Sequence, residues 1–245
     1  MTDLLRKSFR GDTSRNSHTM VVDGLGRRIV RGDFPENSLL PRDEELAEMF
    51  GVSRTVLREA MKTLAAKGMV EPRSRVGTRV LDRHRWSLID QQVLTWHLDE
   101  RADAAFLGEL FEMRLSFEPY AARLAAERAE PVKIEKMYAC CDTMAESPSG
   151  QDFSIADLDL HRAIQEAAGN AFLNSVGTLI EAALLTSFRL SSPLASAAGQ
   201  RESAAQHRAL VDAIAAGDRD GAERAMREVI EEGWRKVRVL LSQAK

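Results

Sequence analysis

The apolar residues between positions 40 and 80 change their spacing along the chain. In the ranges 46–50 and 56–64 they recur three and four residues apart, with Gly51 between the two runs, which predicts two helices joined by a tight turn. In the range 70–80 valines alternate with arginines, which predicts a short two-stranded hairpin. Two helices followed by such a hairpin indicate a winged helix-turn-helix.

Beyond residue 103 the apolar spacing is helical throughout. Glycine and proline residues interrupt it at intervals that predict roughly six or seven helices, and no segment shows the alternation of a hairpin. The predicted fold class is mainly α, with an N-terminal winged helix-turn-helix domain followed by an all-α helical bundle. The predicted boundaries are a flexible N-terminal tail over 1–17, the winged domain over 18–82, a linker over 83–103 and the bundle over 104–241.

The predicted linker carries two tryptophans, Trp86 and Trp96. Large rings of this kind are seldom left in water, so we expect both to pack where the two domains dock. This packing interpretation is preferred to a role in binding a ligand.

The second predicted helix begins with a basic surface. Ser53 is placed to cap that helix, because its hydroxyl can accept from a free backbone N–H. Arg54 and Arg58 follow four residues apart on one exposed face, and an arginine bidentate to guanine is the commonest specific contact in the major groove. Arg73 and Arg75, at the tip of the hairpin, would follow phosphates and add salt-dependent affinity. These features predict binding to double-stranded DNA, whereas an ordinary helical hairpin with solvated arginines leaves the basic wing unexplained.

Charge is segregated along the chain, although the net charge is only −3. Residues 1–85 hold 17 basic and 12 acidic side chains, a net of +5, and the remainder holds 17 against 25, a net of −8. A basic N-terminal segment followed by an acidic remainder is the charge distribution expected of a protein that binds nucleic acid through its N-terminal part.

Cysteine usage and hydropathy predict the compartment. Cys140 and Cys141 are adjacent and poorly placed to bridge each other. No apolar run approaches the length of a membrane span, and the polar N-terminal segment lacks the apolar core of a signal peptide. We therefore expect a reducing, cytoplasmic location and no membrane partner.

The bundle sequence contains candidate metal ligands. Asp157 and His161 lie four residues apart and so share a helical face, beside apolar Leu160 and Ile164. A carboxylate and an imidazole with this spacing form half of a transition-metal site, and His207, beside another apolar face, is a third candidate. The alternative is a hydrogen-bonded surface pair without a metal, and the residues alone leave both interpretations open.

Residues 20–82 resemble the DNA-binding domain of the GntR family of bacterial transcription regulators. The resemblance rests on LP at 40–41 and on FGVSRTVLREA, KGMV and VGTRV. Members of that family often carry an operator-contacting arginine at the position of Glu44, which implies that Arg42 takes this role or that the role is lost. Many relatives have glycine in place of Arg75, which implies different contacts at the wing tip. The complete predicted DNA-binding set is Arg42, Ser53, Arg54, Thr55, Arg58, Arg73, Arg75, Gly77 and Thr78.

The segment from about residue 104 to 240 resembles the FCD branch of the same family. The matching blocks are FEMRLSFEPYAARLAAERA, DLDLHRAI, GNAFL, QHRALVDAI and GDRDGAERAM. Many members bind a divalent metal through one aspartate and three histidines, and the first three positions correspond to Asp157, His161 and His207. The fourth falls at Val229, which cannot ligate a metal. The resemblance thus implies one of two arrangements: a three-ligand site for Zn or a similar ion, with water or effector oxygens filling the shell, or a bundle without a metal, as in some members.

The FCD resemblance also implies an effector site. Members direct the arginine of the MR-x-x-x-E block into the cavity, and this arginine corresponds to Arg114. Glu118, one helical turn later, can pair with the guanidinium of Arg114 and hold it in place. Guanidinium is suited to bidentate capture of a carboxylate. Asn170 and Arg189 are further candidates for the cavity wall. Most effectors in this branch are organic acids, and the linker RWSLIDQQVLTW is similar to that of regulators of sugar-acid catabolism. The resemblance implies an aldonate or related sugar acid as the effector, with another small carboxylate as the alternative.

These features together predict a homodimeric DNA-binding transcription regulator, a repressor that a small organic acid releases from its operator. One alternative is a metal-dependent enzyme in which Asp157, His161 and His207 hold a metal that activates water, although it lacks an obvious general base and leaves the basic wing without a role. Another alternative is a helical interaction module with a vestigial DNA-binding end. Binding to random DNA without salt dependence would favour that module.

Overall fold

The structure, a computed structural model, describes residues 16–101, 103–177, 180–182 and 197–243. These residues form two compact units that divide between residues 101 and 103. The predicted tail over 1–17 lies outside the described residues except for its last two positions, where the first helix begins.

The first unit contains the predicted winged helix-turn-helix. In chain order its elements are α1 (Ser17–Arg31), α2 (Asp43–Phe50), α3 (Arg54–Ala66), the antiparallel strands β1 (Val70–Arg73) and β2 (Gly77–Val80), a 3-10 turn (Arg83–Arg85) and α4 (Gln91–Glu100). Leu39 forms one further bridge to Arg79, which adds a short third segment at the edge of the wing. The mainly α fold class is confirmed.

Local sequence explains where these helices begin and end. Asn16 caps α1, and Ser53 caps α3 by accepting from the backbone N–H of Val56, as expected. Gly32 and Gly51 end α1 and α2 in the left-handed conformation. The apolar faces of these helices then close on one core, whose fully buried members include Leu25, Leu46, Leu57, Leu64 and Met69.

The segment that the sequence assigned to a linker is part of the first unit. Helix α4 packs on α1, where the indole N–H of Trp96 donates to Asp23 at 2.7 Å. The indole N–H of Trp86 donates to the carbonyl of Leu81 at 2.9 Å. Both rings are buried in the first unit, where each indole has apolar neighbours and an acceptor for its N–H.

Ion pairs add to the packing of α4 on α1. Arg27 pairs with Asp99 at 2.9 Å and with Glu100 at 3.1 Å, and Arg31 pairs with Glu100 at 2.7 Å. Hydrogen bonding to Arg31 lowers the pKa of Glu100, although partial burial opposes the change. The last turn of α4 is thereby tied to α1.

Gly26 on α1 is the contact point for Trp96, and its replacement by alanine should destabilise the first unit by about 1–3 kcal/mol. The added Cβ would overlap the Trp96 ring, so α4 would have to move away from α1. Chemical denaturation followed by tryptophan fluorescence measures this change. Gly108→Ala on the first helix of the second unit is the matched control, because its new Cβ would lie 3.5 Å from Trp234, an ordinary contact. Unchanged stability of the Gly26→Ala variant would contradict the packing of α4 on α1.

The second unit is a helical bundle. Its described elements are α5 (Ala104–Arg128), α6 (Pro131–Glu146), α7 (Gly150–Ala168), the short α8 (Ala171–Ser175), α9 (Ala197–Ala215) and α10 (Arg219–Gln243). Glu118 of α5 contacts His161 of α7, and further along both helices Arg128 donates to the carbonyl of Ala168, so α5 and α7 run in the same direction. Helix α9 packs on α5, α6 and α10. None of the described helices combines the length and apolarity needed to cross a membrane.

Candidate DNA-binding surface and buried Asp–His–His cluster

The start of α3 is an exposed basic surface. Arg54, Thr55 and Arg58 are all exposed, so their side chains are open to a DNA groove. Glu44, in the first turn of α2, accepts from Nη2 of Arg54 at 2.7 Å. The two side chains are 70% and 72% exposed, so this pair contributes little to folding stability and serves mainly to direct Arg54 toward α2.

The wing and the start of α2 carry the remaining predicted DNA-binding residues. Arg42 precedes α2 and is exposed, and Arg73 is exposed while donating to Glu71 at 2.8 Å. Arg75 has a φ of +61°, in the left-handed region that favours glycine, which gives a backbone reason for the glycine that relatives are expected to carry there. Gly77 follows it at the turn, and Thr78 uses its carbonyl to accept from Leu40. Contact of these residues with DNA remains a prediction.

Three predicted metal ligands come together inside the second unit. Asp157 and His161 of α7 and His207 of α9 each offer one ligand atom, and these atoms lie within 4.8 Å of one another. Oδ1 of Asp157 lies 3.0 Å from Nε2 of His207 and 3.3 Å from Nε2 of His161. All three atoms are buried, and none has a hydrogen-bond partner among the described residues. A common point surrounded by three such atoms suits a cation.

The other nitrogen of each imidazole is held in place. Nδ1 of His161 lies 2.6 Å from a carboxylate oxygen of Glu118, and Nδ1 of His207 lies 2.7 Å from the carbonyl oxygen of Ser203. Both oxygens are acceptors, so each Nδ1 carries the donated hydrogen and each Nε2 can present a lone pair to the cluster. Fixing the tautomer of a ligating histidine through its second nitrogen is what metal sites require.

Electrostatics favour the ionised forms of His161, Asp157 and Glu118. Burial disfavours the charged ring of His161, but the carboxylates of Glu118 and Asp157 outweigh this and raise the pKa of His161 to about 9. Burial would raise the pKa of Asp157, yet His207 and His161 hold it well below its usual range. Burial likewise opposes ionisation of Glu118, but Arg114 and His161 lower its pKa. Because metal ligation needs the neutral imidazole, a cation at this point would replace the proton on His161.

The predicted effector residues have different surroundings. The guanidinium of Arg114 is 2% exposed and is occupied by Glu118, with Nε 2.5 Å from one oxygen and Nη2 3.4 Å from the other. Glu118 therefore links Arg114 to His161 within one buried network. The side-chain oxygen of Asn170 caps α8, accepting from Phe172 at 3.0 Å. Arg189 lies outside the described residues, and Val229, at the position of the fourth family ligand, is a buried apolar residue of α10.

Sequence reasoning missed three features of these sites. The pairing of Glu44 with Arg54 joins two helices, and the contact of Glu118 with His161 joins α5 to α7, so neither follows from spacing along the chain. Gln165, four residues after His161, is buried on the same side of α7. Its spacing of four residues from His161 and eight from Asp157 is the sequence signal that could have identified it.

The first unit is a winged helix-turn-helix with an exposed basic helix start, and the same chain continues into a bundle that encloses a polar cluster. This combination defines a transcription regulator with a DNA-binding unit and a sensory unit. Residues 18–80 match the bacterial regulatory proteins of the gntR family, and residues 109–232 match the FCD domain. The chain belongs to the GntR family, in its FCD branch. It is a DNA-binding regulator, and the alternative of a metal-dependent enzyme is not supported.

Individual relatives agree with this assignment. The chain is 30% identical over 224 residues to the galactonate operon transcriptional repressor of Escherichia coli (strain K12), across 91% of this chain and 97% of that protein. It is 36% identical over 217 residues to a putative L-lactate dehydrogenase operon regulatory protein of the same strain, across 84% and 80%. A solved structure of Lar, which controls the agr system of Listeria monocytogenes, has a TM-score of 0.61 at 19% identity and covers 96% of this chain and 100% of its own. That likeness supports the fold alone.

Proposed function

We propose that the protein is a homodimeric, cytoplasmic repressor that a sugar acid releases from its operator, and that the acid binds beside a divalent metal in the second unit. The observation that carries the sensory half is the buried cluster of Asp157, His161 and His207, whose three ligand atoms converge without hydrogen bonding to one another. Zn or a similar ion would be held by these three residues and would supply a Lewis-acidic centre for effector oxygens. Val229 leaves the fourth family position without a ligand, so the effector has room in the coordination shell.

The charge of the buried network favours a metal together with an anion. With both imidazoles neutral, the positive side chain of Arg114 stands against the two negative side chains of Glu118 and Asp157, a net of −1. A divalent ion changes this sum to +1, and a monocarboxylate brings it to zero. Because buried net charge is costly, a metal with one bound carboxylate is the occupant that best suits the network.

The relatives favour a hydroxy acid as that carboxylate. The operons named for two of them concern galactonate and L-lactate dehydrogenase, and both galactonate and lactate are 2-hydroxycarboxylates. Such a molecule can offer a carboxylate and a hydroxyl oxygen to one metal ion. Sugar acids such as galactonate are therefore our first choice of effector.

The proposal of a homodimer is supported by the way winged helix-turn-helix regulators read DNA. Two copies of α3 would enter successive major grooves about 34 Å apart, on a pseudo-palindromic operator. Effector binding that favours one arrangement of the two DNA-binding units by about 1–3 kcal/mol would change operator affinity by about 5- to 150-fold.

Removal of a proposed ligand should abolish tight metal binding. His161→Ala and His207→Ala each delete one of three ligands, so we expect the affinity for Zn²⁺ to fall by more than about 100-fold. Competition against a zinc-binding dye, using protein first stripped with a chelator, measures this affinity. His84→Ala, at an exposed histidine of the first unit, is the matched control and should bind Zn²⁺ as the wild type does. Equal affinity of the wild type and His161→Ala would rule out the cluster as the metal site.

Sugar acids should raise the thermal stability of the protein and lower its affinity for DNA. We expect galactonate or a related acid to raise the melting temperature, because a ligand of the folded state stabilises it by mass action. The same acid should lower the affinity for a DNA fragment from upstream of the protein's own gene by about 5- to 150-fold, as measured by fluorescence anisotropy. If no organic acid changed either quantity, the sensory half of the proposal would be lost and the DNA-binding half would stand.

A further inference from the structure

A buried amide lies one helical turn beyond the metal-ligand candidates. Gln165 of α7 is only 3% exposed, and its Nε2 has no hydrogen-bond partner in the part of the chain that the structure describes. A buried amide without a partner costs about 1–3 kcal/mol, and such groups are rare in folded proteins. The position therefore calls for a partner that the described residues do not supply.

Helix geometry fixes the place of this amide relative to the cluster. Asp157, His161 and Gln165 are spaced by four residues along one side of α7, with about 6 Å of helix axis between successive members. Since α5 and α7 run in the same direction, Arg114 lies at the Asp157 end of the network and Gln165 lies at the opposite end.

The chain after α8 limits how the amide can turn. A Cβ added at Gly177 would lie 3.3 Å from Oε1 of Gln165, which is closer than most real contacts. The oxygen end of the amide is thus against the chain at Gly177, and its N–H groups are the end left for a ligand. A ligand that extends from the imidazoles of the cluster along α7 would meet those N–H groups.

We infer that Gln165 is an effector-binding residue whose amide N–H groups donate to a hydroxyl on the carbon chain of a polyhydroxy acid, with the carboxylate end of that acid at the metal. This inference rests on the proposed function and names the part of the acid that the site selects. A hydroxyl fits this position because it accepts from N–H without adding charge, whereas a second carboxylate would leave the buried network negative. Acids that lack this hydroxyl leave the amide unpaired, and a site rejects such analogues because of that buried unpaired group.

Gln165→Leu tests the inference, since leucine removes both polar atoms and keeps an apolar side chain of similar reach. The measurement is calorimetric titration of D-galactonate into full-length, Zn²⁺-loaded protein, with titration of Zn²⁺ alone and a melting curve without galactonate. We expect the affinity for galactonate to fall by about 10- to 100-fold and the affinity for Zn²⁺ to stay the same. The melting temperature without galactonate should be equal or higher, because an unpaired buried amide has been removed. Gln151→Leu, at the exposed start of the same helix, is the matched control and should change none of the three.

Four results would overturn the inference, and they separate it from the proposed function. Equal galactonate affinity in wild type and Gln165→Leu removes Gln165 from the effector site and leaves the sugar-acid sensor intact. A lower melting temperature with unchanged galactonate affinity identifies the amide as structural. Weaker Zn²⁺ binding by Gln165→Leu makes the position a metal ligand instead. Wild-type protein that binds Zn²⁺ but no galactonate removes both this inference and the proposed effector.

Discussion

Replacing Arg58 by alanine will lower the affinity for the operator by about 1–3 kcal/mol, which is about 5- to 150-fold. Arg58 is exposed on α3 one turn after the Ser53 cap, where a guanidinium can pair with a guanine edge in the major groove. Stability should not change, because Arg58 lies outside the core of the first unit. Fluorescence anisotropy with the upstream DNA fragment and with a scrambled fragment measures specific and non-specific binding separately.

Two further variants separate base contacts from phosphate contacts. Arg75→Ala at the wing tip should weaken binding to both fragments and reduce the slope of log affinity against log salt by about one, because one phosphate contact is lost. Arg227→Ala makes the same change in net charge at an exposed position of the second unit and should leave DNA binding unaltered. If Arg58→Ala bound the upstream fragment as tightly as the wild type does, Arg58 would not be a base-reading residue.

Replacing Glu118 by leucine will destabilise the second unit by about 3–5 kcal/mol. The carboxylate is 1% exposed and is the acceptor for both Arg114 and His161, so its removal leaves a buried guanidinium without a counter-charge. Chemical denaturation followed by circular dichroism measures the loss. Zinc affinity should fall by about 10- to 100-fold in the same variant, because His161 loses the group that orients it.

A double variant distinguishes loss of the ion pair from simple loss of packing. Arg114→Met combined with Glu118→Leu removes both charges, so most of the stability should return, although His161 still lacks its acceptor. Asp142→Leu breaks an exposed ion pair with Arg208, which is 2.6 Å long, and should cost less than about 1 kcal/mol. A Glu118→Leu variant that lost no more stability than Asp142→Leu would show that the buried network is not as described.

Features that depend on neighbours in sequence were predictable. Ser53 as a cap, the helical face shared by Asp157 and His161, and the hairpin around Gly77 all follow from spacing and turn chemistry within a few residues. His207 was a candidate from its own apolar surroundings, but assigning it to the same site as Asp157 and His161 required the family resemblance, because nothing in the local sequence relates α9 to α7.

Features that depend on tertiary contacts were not predictable from spacing. From its spacing, Glu118 was predicted to pair with Arg114. Only the packing of α5 beside α7 shows that the same carboxylate also orients His161. The linker residues looked like a connection between domains, and only the fit of Trp96 against Gly26 shows that they complete the first unit. Sequence periodicity reveals which face of a helix is apolar, but it does not reveal which other helix that face meets.

The ion pairs that join Asp99 and Glu100 to Arg27 and Arg31 have a mechanical consequence. The chain leaves the first unit at residue 101 directly from the last turn of α4, and this turn is fastened to α1. A torque applied at that exit would therefore be transmitted to α1, and through α1 to α3, which packs on it, rather than unwind α4. Removing these ion pairs, for example with Arg27→Ala and Arg31→Ala, would make the connection at residue 101 more flexible while leaving Arg54 and Arg58 unchanged.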